Sequence, residues 1–395
     1  MRFFAQTAAL IGFNIRTLPS RKGSAGAAIA GIAGVVAVLV GLLSIGQGFR
    51  RTMTIAGSPD TVFVLRTGAD SEMASILSRD EARIIAEAPG VARKNGKALV
   101  SPELFVIVNL PKRSTGTDAN VPMRGVEPTA FDVRDEVKIV KGRNFDPGRN
   151  EVIVGRAAQF AFAGLDIGSE LAFGQNRWRV VGIFEAAGSI SESEIWCDAA
   201  VLAPAYRRGS SYQNAVVRLA SPGSFNAFKD ALTTDPRVSL KIVRETDYYA
   251  EQSQTLVKIV NFLAGIVTTL MGLAAIFGAL NTMYTAVAAR AREIATLEAI
   301  GFRGAPIIVS VLLESIVLSV IGGVLGAGGA WLVFDGFRTA TINWQTFSQV
   351  AFAFDVNASL LIRGIASAVV IGVIGGLFPA IRAARLPVAV ALRER

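Results

Sequence analysis

Four long apolar runs divide this chain. Residues 23–49 and 259–289 contain no charged side chain, residues 305–334 contain only Glu314, and residues 359–381 contain only Arg363. About 20 consecutive apolar residues are enough for one helix to cross a bilayer. The pattern therefore predicts four membrane-spanning helices, arranged as one span, a long polar interval and three further spans.

The polar interval, residues 50–257, has the mixed pattern of a soluble α+β domain. Ser78 followed by Glu81 predicts a capped helix that stops at Pro89. Short apolar stretches bounded by turn residues predict strands, and an amphipathic stretch before the last of them predicts a second helix. The predicted strands are 61–65, 151–155, 178–183 and 240–243, the second helix is 224–232, and residues 101–204 are predicted to form an inserted subdomain.

The charges set the orientation of these spans. The chain has a net charge of +9 and a pI near 10.0, which would also suit a nucleic-acid-binding protein. However, eleven Lys and Arg residues and only three acids flank the apolar runs on one side, as the positive-inside rule requires. We therefore expect a multi-pass membrane protein with both termini cytoplasmic, the polar domain outside, and no nucleic-acid partner.

These patterns give a fold class and a set of boundaries. The fold class is an α-helical membrane protein with four transmembrane helices (1 + 3) and a large α+β extracytoplasmic domain between the first two. The predicted boundaries are an interfacial N-terminal helix (1–22), spans at 23–49, 258–286, 305–334 and 359–381, the outer domain (50–257), a cytoplasmic segment (287–304), a short outer loop (335–358) and a cytoplasmic tail (382–395).

Composition excludes several kinds of catalytic site. Histidine is absent and Cys197 is the only cysteine, so His-based metal sites, Ser-His or Cys-His triads and intrachain disulfides are excluded. A phosphate-binding Gly-Lys-Ser/Thr loop is also missing, since the nearest approach, Gly90 to Lys97, lacks the hydroxyl that would hold magnesium. We predict no catalytic residue, metal site or cofactor in this chain, which is therefore not predicted to be an enzyme.

The segment between the second and third spans is the most informative short sequence. Residues 290–303 have a helical apolar period with charges between the apolar positions, and a glycine ends the predicted helix. Composition alone favours a positively charged anchor joining two spans. The alternative is a short helix in the membrane plane that docks on a cytoplasmic partner.

The residue pattern favours the docking helix. Arg-x-Arg-Glu-Ile-x-x-Leu-x-Ala-Ile-Gly, residues 290–301, resembles the loop of the MacB/FtsX-like permeases, the type VII ABC transporters. Residues 78–91, 125–128, 151–155 and 181–184 resemble parts of the MacB-like periplasmic core domain, and residues 376–393 are similar to the closing motif of the family. Residues 22–26 depart from the usual start of the first span, which leaves the subfamily open.

The resemblance implies a permease subunit of the bacterial inner membrane without a fused ATPase. A separate cytoplasmic ABC ATPase would bind ATP and magnesium, a second permease subunit would complete a homo- or heterodimer, and a periplasmic adaptor protein and membrane lipid are further expected partners. The work would be mechanotransmission, which drives export or extraction of a substrate. A membrane-bound regulator acting on a cell-wall hydrolase is the alternative. The residues implied to couple to the ATPase are Arg290, Arg292, Glu293, Ile294, Leu297, Ile300, Gly301 and Phe302.

Four further features of the sequence carry expectations. Glu314 is the one acid at membrane depth, where ionisable groups are costly, and either a structural contact between helices or proton coupling would explain it. The small-residue spacings 322–326 and 372–376 favour close helix packing, within one subunit or across a dimer. Cys197 is predicted to be packed, and residues 191–194 are predicted to form a solvated loop.

Overall fold

The computed structural model describes residues 22–55 and 57–385. The predicted interfacial helix and most of the predicted cytoplasmic tail lie outside the described residues. The rest folds as two compact units. The helical unit contains the described residues of Met1–Gln47, Lys258–Phe337 and Phe354–Arg395, and the sheet unit contains those of Gly48–Val257 and Arg338–Ala353.

The elements follow the predicted order. The helices are α1 (Lys22–Thr54), α2 (Arg79–Glu87), α3 (Ala130–Val133), α4 (Arg156–Ala161), α5 (Ala199–Ala205), α6 (Phe225–Thr233), α7 (Glu245–Ala289), α8 (Ala291–Ala299), α9 (Gly304–Phe334) and α10 (Ala358–Ala383). The strands are β1 (Thr61–Arg66), β2 (Arg93–Lys94), β3 (Lys97–Ala98), β4 (Val100–Pro111), β5 (Asp118–Val126), β6 (Lys138–Gly142), β7 (Glu151–Gly155), β8 (Glu170–Phe173), β9 (Asn176–Glu185), β10 (Ile195–Asp198), β11 (Asn214–Arg218), β12 (Leu240–Arg244), β13 (Arg338–Asn343) and β14 (Ser348–Ala353).

Four helices of the described chain, α1, α7, α9 and α10, are long and apolar enough to cross a membrane. At a rise of about 1.5 Å per residue, the 45 residues of α7 extend for roughly 67 Å, about twice the hydrocarbon thickness of a bilayer. Its uncharged run starts at Ile259, and its first turns, residues 245–257, belong to the sheet unit. The part of α7 that belongs to the helical unit is therefore residues 258–289.

Small residues allow α1 and α9 to approach closely within the helical unit. A methyl group added at Gly322 would lie 2.9 Å from the carbonyl oxygen of Ile29, and one added at Gly326 would overlap the carbonyl of Ala33. Only glycine permits such backbone contact. The 322–326 spacing thus serves packing within one subunit.

The second small-residue spacing joins α9 to α10. A methyl group at Gly372 would overlap Ser319, and one at Gly376 would come 2.6 Å from the Cβ of Ser315. The Ser315 hydroxyl also donates a hydrogen bond of 2.8 Å to the carbonyl of Gly372. Both spacings, 322–326 and 372–376, therefore serve packing between helices of one subunit.

One sheet organises the sheet unit. Its strand order is β12-β1-β11-β4-β5-β10-β7-β9-β6, and β8 pairs with β9. Neighbours are antiparallel except for β5 with β10 and β7 with β9. The capping box of α2 is present, with Ser78 and Glu81 bonded to each other's backbone N–H groups.

Residues 101–204 do not leave this sheet. They supply their own cluster of buried side chains, which includes Val106, Met123 and Trp178, but β4 continues from the pairing with β11 into the pairing with β5. The predicted inserted subdomain is therefore an extension of the same sheet, because one long strand spans both parts.

A β-hairpin replaces the predicted short loop at residues 335–358. Strands β13 and β14 pair from Arg338↔Ala353 to Asn343↔Ser348 and belong to the sheet unit. The Nδ2 of Asn120 donates to the carbonyl of Phe347 at 2.8 Å, which fixes the turn to the start of β5. The loop prediction was wrong because it considered only the length between two apolar runs.

The predicted fold class is confirmed. Four candidate spanning helices, with the first near the N-terminus, accompany a mixed α/β domain between the first two.

Candidate functional site

The short helix α8 forms the segment predicted to couple to a partner. Arg290 is its N-cap, Ile300 is its C-cap and Gly301 follows with φ +97°. A residue with a Cβ is strained at that φ, so glycine suits the turn that ends the helix. The amides of Gly301 and Phe302 close this turn on the carbonyls of Glu298 and Leu297, both at 3.0 Å.

One face of α8 is buried against the helical unit. Ile294 is 7% exposed, and Leu297 and Phe302 are half-buried beside it. Their neighbours come from α7, α9 and α10, and they are Val287, Ile307, Val311, Ala380 and Ala383. These three members of the predicted coupling set therefore hold the helix in place.

The opposite face of α8 is exposed. Arg292, Glu293 and Thr296 are exposed along the helix, and Ile300 at its end is 69% exposed. The apolar period of the sequence predicts Ile300 on the same side as Ile294, but six residues at about 100° each place it roughly 120° around the helix from Ile294. The exposed residues at this end of α8 therefore include an isoleucine as well as charged side chains.

Arg290 connects α8 to the acid at membrane depth. Its Nη1 lies 3.4 Å from Oε2 of Glu314, and the two side chains are 12% and 8% exposed. Pairing offsets the cost of burying each charge. The contact between helices that was one explanation of Glu314 is therefore present.

A second polar cluster lies in the sheet unit and was missed from the sequence. Arg124 on β5 is 1% exposed and contacts three carboxylates. Its Nε donates to Glu194 at 2.7 Å, and its Nη1 donates to Glu72 at 2.6 Å and to Glu103 at 2.7 Å. A charged residue within the otherwise apolar stretch of β5 was the sequence signal available for this cluster.

Arg134 extends this cluster to the start of α7. Its guanidinium donates to Glu103 through Nη1 and Nη2, and its Nε lies 3.6 Å from Oε1 of Glu245. Burial would raise the pKa of Glu103, but Arg134 and Arg124 hold it below the ordinary value. We call these six side chains the buried ionic network: Glu72, Glu103, Arg124, Arg134, Glu194 and Glu245.

The predicted solvated loop at residues 191–194 was wrong. Ser191, Ser193 and Glu194 are buried, because Glu194 binds Arg124 and the Nε1 of Trp196 donates to it at 2.7 Å. Cys197 is fully buried, as expected, and burial raises the pKa of its thiol.

Comparison with known proteins gives the family. Residues 25–235 match the family described as MacB-like periplasmic core domain, and residues 265–388 match the FtsX-like permease C-terminal family. Both matches follow the order of the elements described above. The chain belongs to the MacB/FtsX-like permease family.

The similar proteins are longer than this chain. The macrolide export ATP-binding/permease protein MacB 1/2 of Paracoccus denitrificans is 27% identical over 383 residues, which cover 90% of this chain and 54% of that protein. The pyoverdine export ATP-binding/permease protein PvdT of Pseudomonas entomophila is 27% identical over 374 residues, covering 88% and 54%. The chain thus spans about half the length of these curated relatives.

A solved structure is also similar to part of the chain. The periplasmic region of MacB from Actinobacillus actinomycetemcomitans matches with a TM-score of 0.38 and 13% identity, over 49% of this chain and 92% of that structure.

Proposed function

We propose that this chain is the permease subunit of a mechanotransmission ABC transporter. In this proposal a separate cytoplasmic ATPase hydrolyses ATP, and the permease converts its closure into a conformational change of the sheet unit outside the cell. That change drives export or extraction of a substrate. The family membership supports a membrane permease, and the names of the relatives pair permease with ATP-binding function.

The exposed face of α8 is the observation that carries the proposal. Ile300 is 69% exposed and lies about two helical turns from the exposed charges of Arg292 and Glu293. An exposed apolar side chain on a short helix that also carries exposed charges suits a groove on a partner protein. We assign that groove to the ATPase, with Arg292, Glu293 and Ile300 as the contacting residues.

The buried face of α8 provides the mechanical connection. Ile294 packs among side chains of α7, α9 and α10, and Arg290 pairs with Glu314 of α9. A close-packed interface of this kind transmits displacement because it resists compression. Movement of α8 by the ATPase would therefore displace the cytoplasmic ends of the spanning helices.

The remaining partners and the location are part of the same proposal. We place the chain in the bacterial inner membrane with both termini cytoplasmic, next to a second permease subunit and a periplasmic adaptor. Helix α7 leaves several large apolar side chains exposed, including Phe262, Leu270 and Phe277. Lipid and the second permease subunit would cover these side chains.

Co-purification tests the ATPase contact. The full-length chain, tagged and extracted in mild detergent, should recover a subunit that hydrolyses ATP and contains the Gly-Lys-Ser/Thr loop. Ile300→Asp should lower that recovery by about tenfold or more, because it places a charge in an apolar contact. Phe160→Asp is the matched control, since Phe160 is 63% exposed on the sheet unit.

Two results would contradict this proposal. One is an ATPase that stays bound to Ile300→Asp and to the double variant Arg292→Ala with Glu293→Ala. The other is a wild-type chain that recovers no ATP-hydrolysing subunit. Recovery of a cell-wall hydrolase in place of an adaptor would favour the regulator over the exporter.

A further inference from the structure

The first turn of α7 is anchored in the interior of the sheet unit. Glu245, its first residue, is 1% exposed. One turn later, the hydroxyl of Tyr248 accepts a hydrogen bond of 3.1 Å from the amide of Glu72. The Tyr248 ring also stacks on Phe63 with the centroids 4.8 Å apart. Polar and aromatic contacts therefore hold the start of a helix that continues without a break to Ala289.

The buried ionic network contains more carboxylates than cations. Four glutamates surround two guanidinium groups, so full ionisation would leave two uncompensated negative charges away from water. Burying an uncompensated charge is costly, and the usual outcome is that the group takes up a proton. At least one carboxyl of the network is therefore expected to be neutral.

Glu245 has the weakest compensation among the four glutamates. Glu194 accepts two hydrogen bonds of 2.7 Å from Arg124, whereas the contact of Glu245 with Arg134 is 3.6 Å long. Its Oε2 is buried and makes no hydrogen bond within the described part of the chain. Geometry thus selects Glu245 as the carboxyl that holds the proton.

The charges around Glu245 agree with this assignment. Burial raises its pKa to about 7 against the opposing effect of Arg134. Glu136 and Glu103 act in the same direction as burial, and Arg124 acts against it.

We propose that Glu245 is a positioning residue whose neutral form holds the first turn of α7 in the sheet unit and whose ionisation releases that turn. The consequence for transport rests on the proposed function, because α7 continues as the second spanning helix. The release itself is a property of the isolated chain.

The pH window follows from the two environments. In the released turn the carboxyl is in water and has its ordinary pKa of 4.5, whereas in the seated turn the pKa is about 7. At a pH between these two pKa values, the Glu245 carboxyl is protonated in the seated turn and ionised in the released turn. Release therefore becomes more favourable by up to about tenfold per pH unit, and above pH 7 the effect levels off because both forms are ionised.

Hydrogen–deuterium exchange of the full-length chain in nanodiscs tests this, with no nucleotide and no ATPase present. Exchange of the backbone amides of residues 245–257, corrected for the intrinsic pH dependence of exchange, should rise by roughly tenfold or more from about pH 5.5 to 7. Glu245→Gln, a neutral isostere, should stay protected with most of this dependence lost. Glu251→Gln, at an exposed position of the same helix, should follow the wild type.

A wild-type chain with no pH dependence in this window would overturn the proposal, and so would a Glu245→Gln curve that matches the wild type. If Glu245→Gln does not fold, Tyr248→Phe replaces it. That variant should raise exchange at every pH, and exchange should still increase with pH as steeply as in the wild type. Loss of this pH dependence in Tyr248→Phe would count against Glu245. None of these outcomes depends on whether an ATPase binds α8, so the inference and the proposed function fail independently.

Discussion

Arg124 holds three carboxylates in a space closed to water, and a side chain in this position is difficult to replace. Its guanidinium has five N–H donors in a planar arrangement, and these satisfy Glu72, Glu103 and Glu194 together. The three acids come from a turn, a strand and a second turn of the sheet unit. One cation therefore ties together segments far apart in the sequence.

Removing this cation should destabilise the sheet unit strongly. Arg124→Ala leaves buried carboxylates without their main partner, which typically costs about 3–5 kcal/mol. Arg113→Ala is the control, because Arg113 and Asp166 are 41% and 59% exposed and such surface pairs contribute about 1 kcal/mol or less. The measurement is denaturant unfolding of the full chain in detergent, followed by tryptophan fluorescence.

The loss of stability caused by Arg124→Ala should also depend on pH. At about pH 5 the difference between Arg124→Ala and wild type should shrink, because protonation neutralises the carboxylates left without a cation. Equal losses at pH 5 and pH 8 would mean that packing, rather than charge, dominates the effect.

Sequence patterns identified some of these residues and missed others for a physical reason. The local sequence correctly indicated the capped start of α2 at Ser78 and the packed Cys197. It could not indicate that Glu194 is buried, because an acid in a serine-rich run is solvated unless a cation from another strand reaches it. The partner, Arg124, is 70 residues away in the sequence.

At the level of elements, some glycines of α9 lie against another helix and others do not. An added side chain at Gly326 would overlap the backbone of Ala33, whereas at Gly328 nothing lies within 4 Å. Gly326→Val should therefore separate α1 from α9 and destabilise the helical unit by about 1–3 kcal/mol. Gly328→Val, two positions along the same helix, should leave stability close to wild type.

Thermal unfolding of the two glycine variants in the same detergent provides the comparison. A Gly326→Val protein with the wild-type unfolding temperature would mean that α1 does not pack on α9 at this residue.

Hydropathy located the apolar segments closely, but it did not detect how far a helix can extend beyond its apolar segment. The predicted span 305–334 matches α9, Gly304–Phe334, but α7 begins at Glu245, 13 residues before the predicted start at 258. Polar residues such as Gln252 and Ser253 are compatible with a helix, and hydropathy detects only its apolar part. The hairpin of β13 and β14 was missed because β13, Arg-Thr-Ala-Thr-Ile-Asn, contains few apolar residues and gives a weak strand pattern.

At the level of the whole molecule, the proposed topology has a direct test. In a Cys197→Ala background, Phe160→Cys and Ile300→Cys introduce thiols at positions that are 63% and 69% exposed. We expect a membrane-impermeant maleimide to label position 160 in outer-permeabilised cells and position 300 only after the inner membrane is disrupted. Equal labelling of both positions in intact inner membranes would refute the orientation.

The β13–β14 hairpin also changes how the two units are connected. Because Arg338–Ala353 belongs to the sheet unit, the backbone passes between the units four times: within α1, within α7, after α9 and before α10. With two crossings, the sheet unit would be tethered to α1 and α7 alone. With four crossings, every spanning helix is covalently connected to the sheet unit. Proteolytic cleavage at any one crossing would leave the other three connections intact.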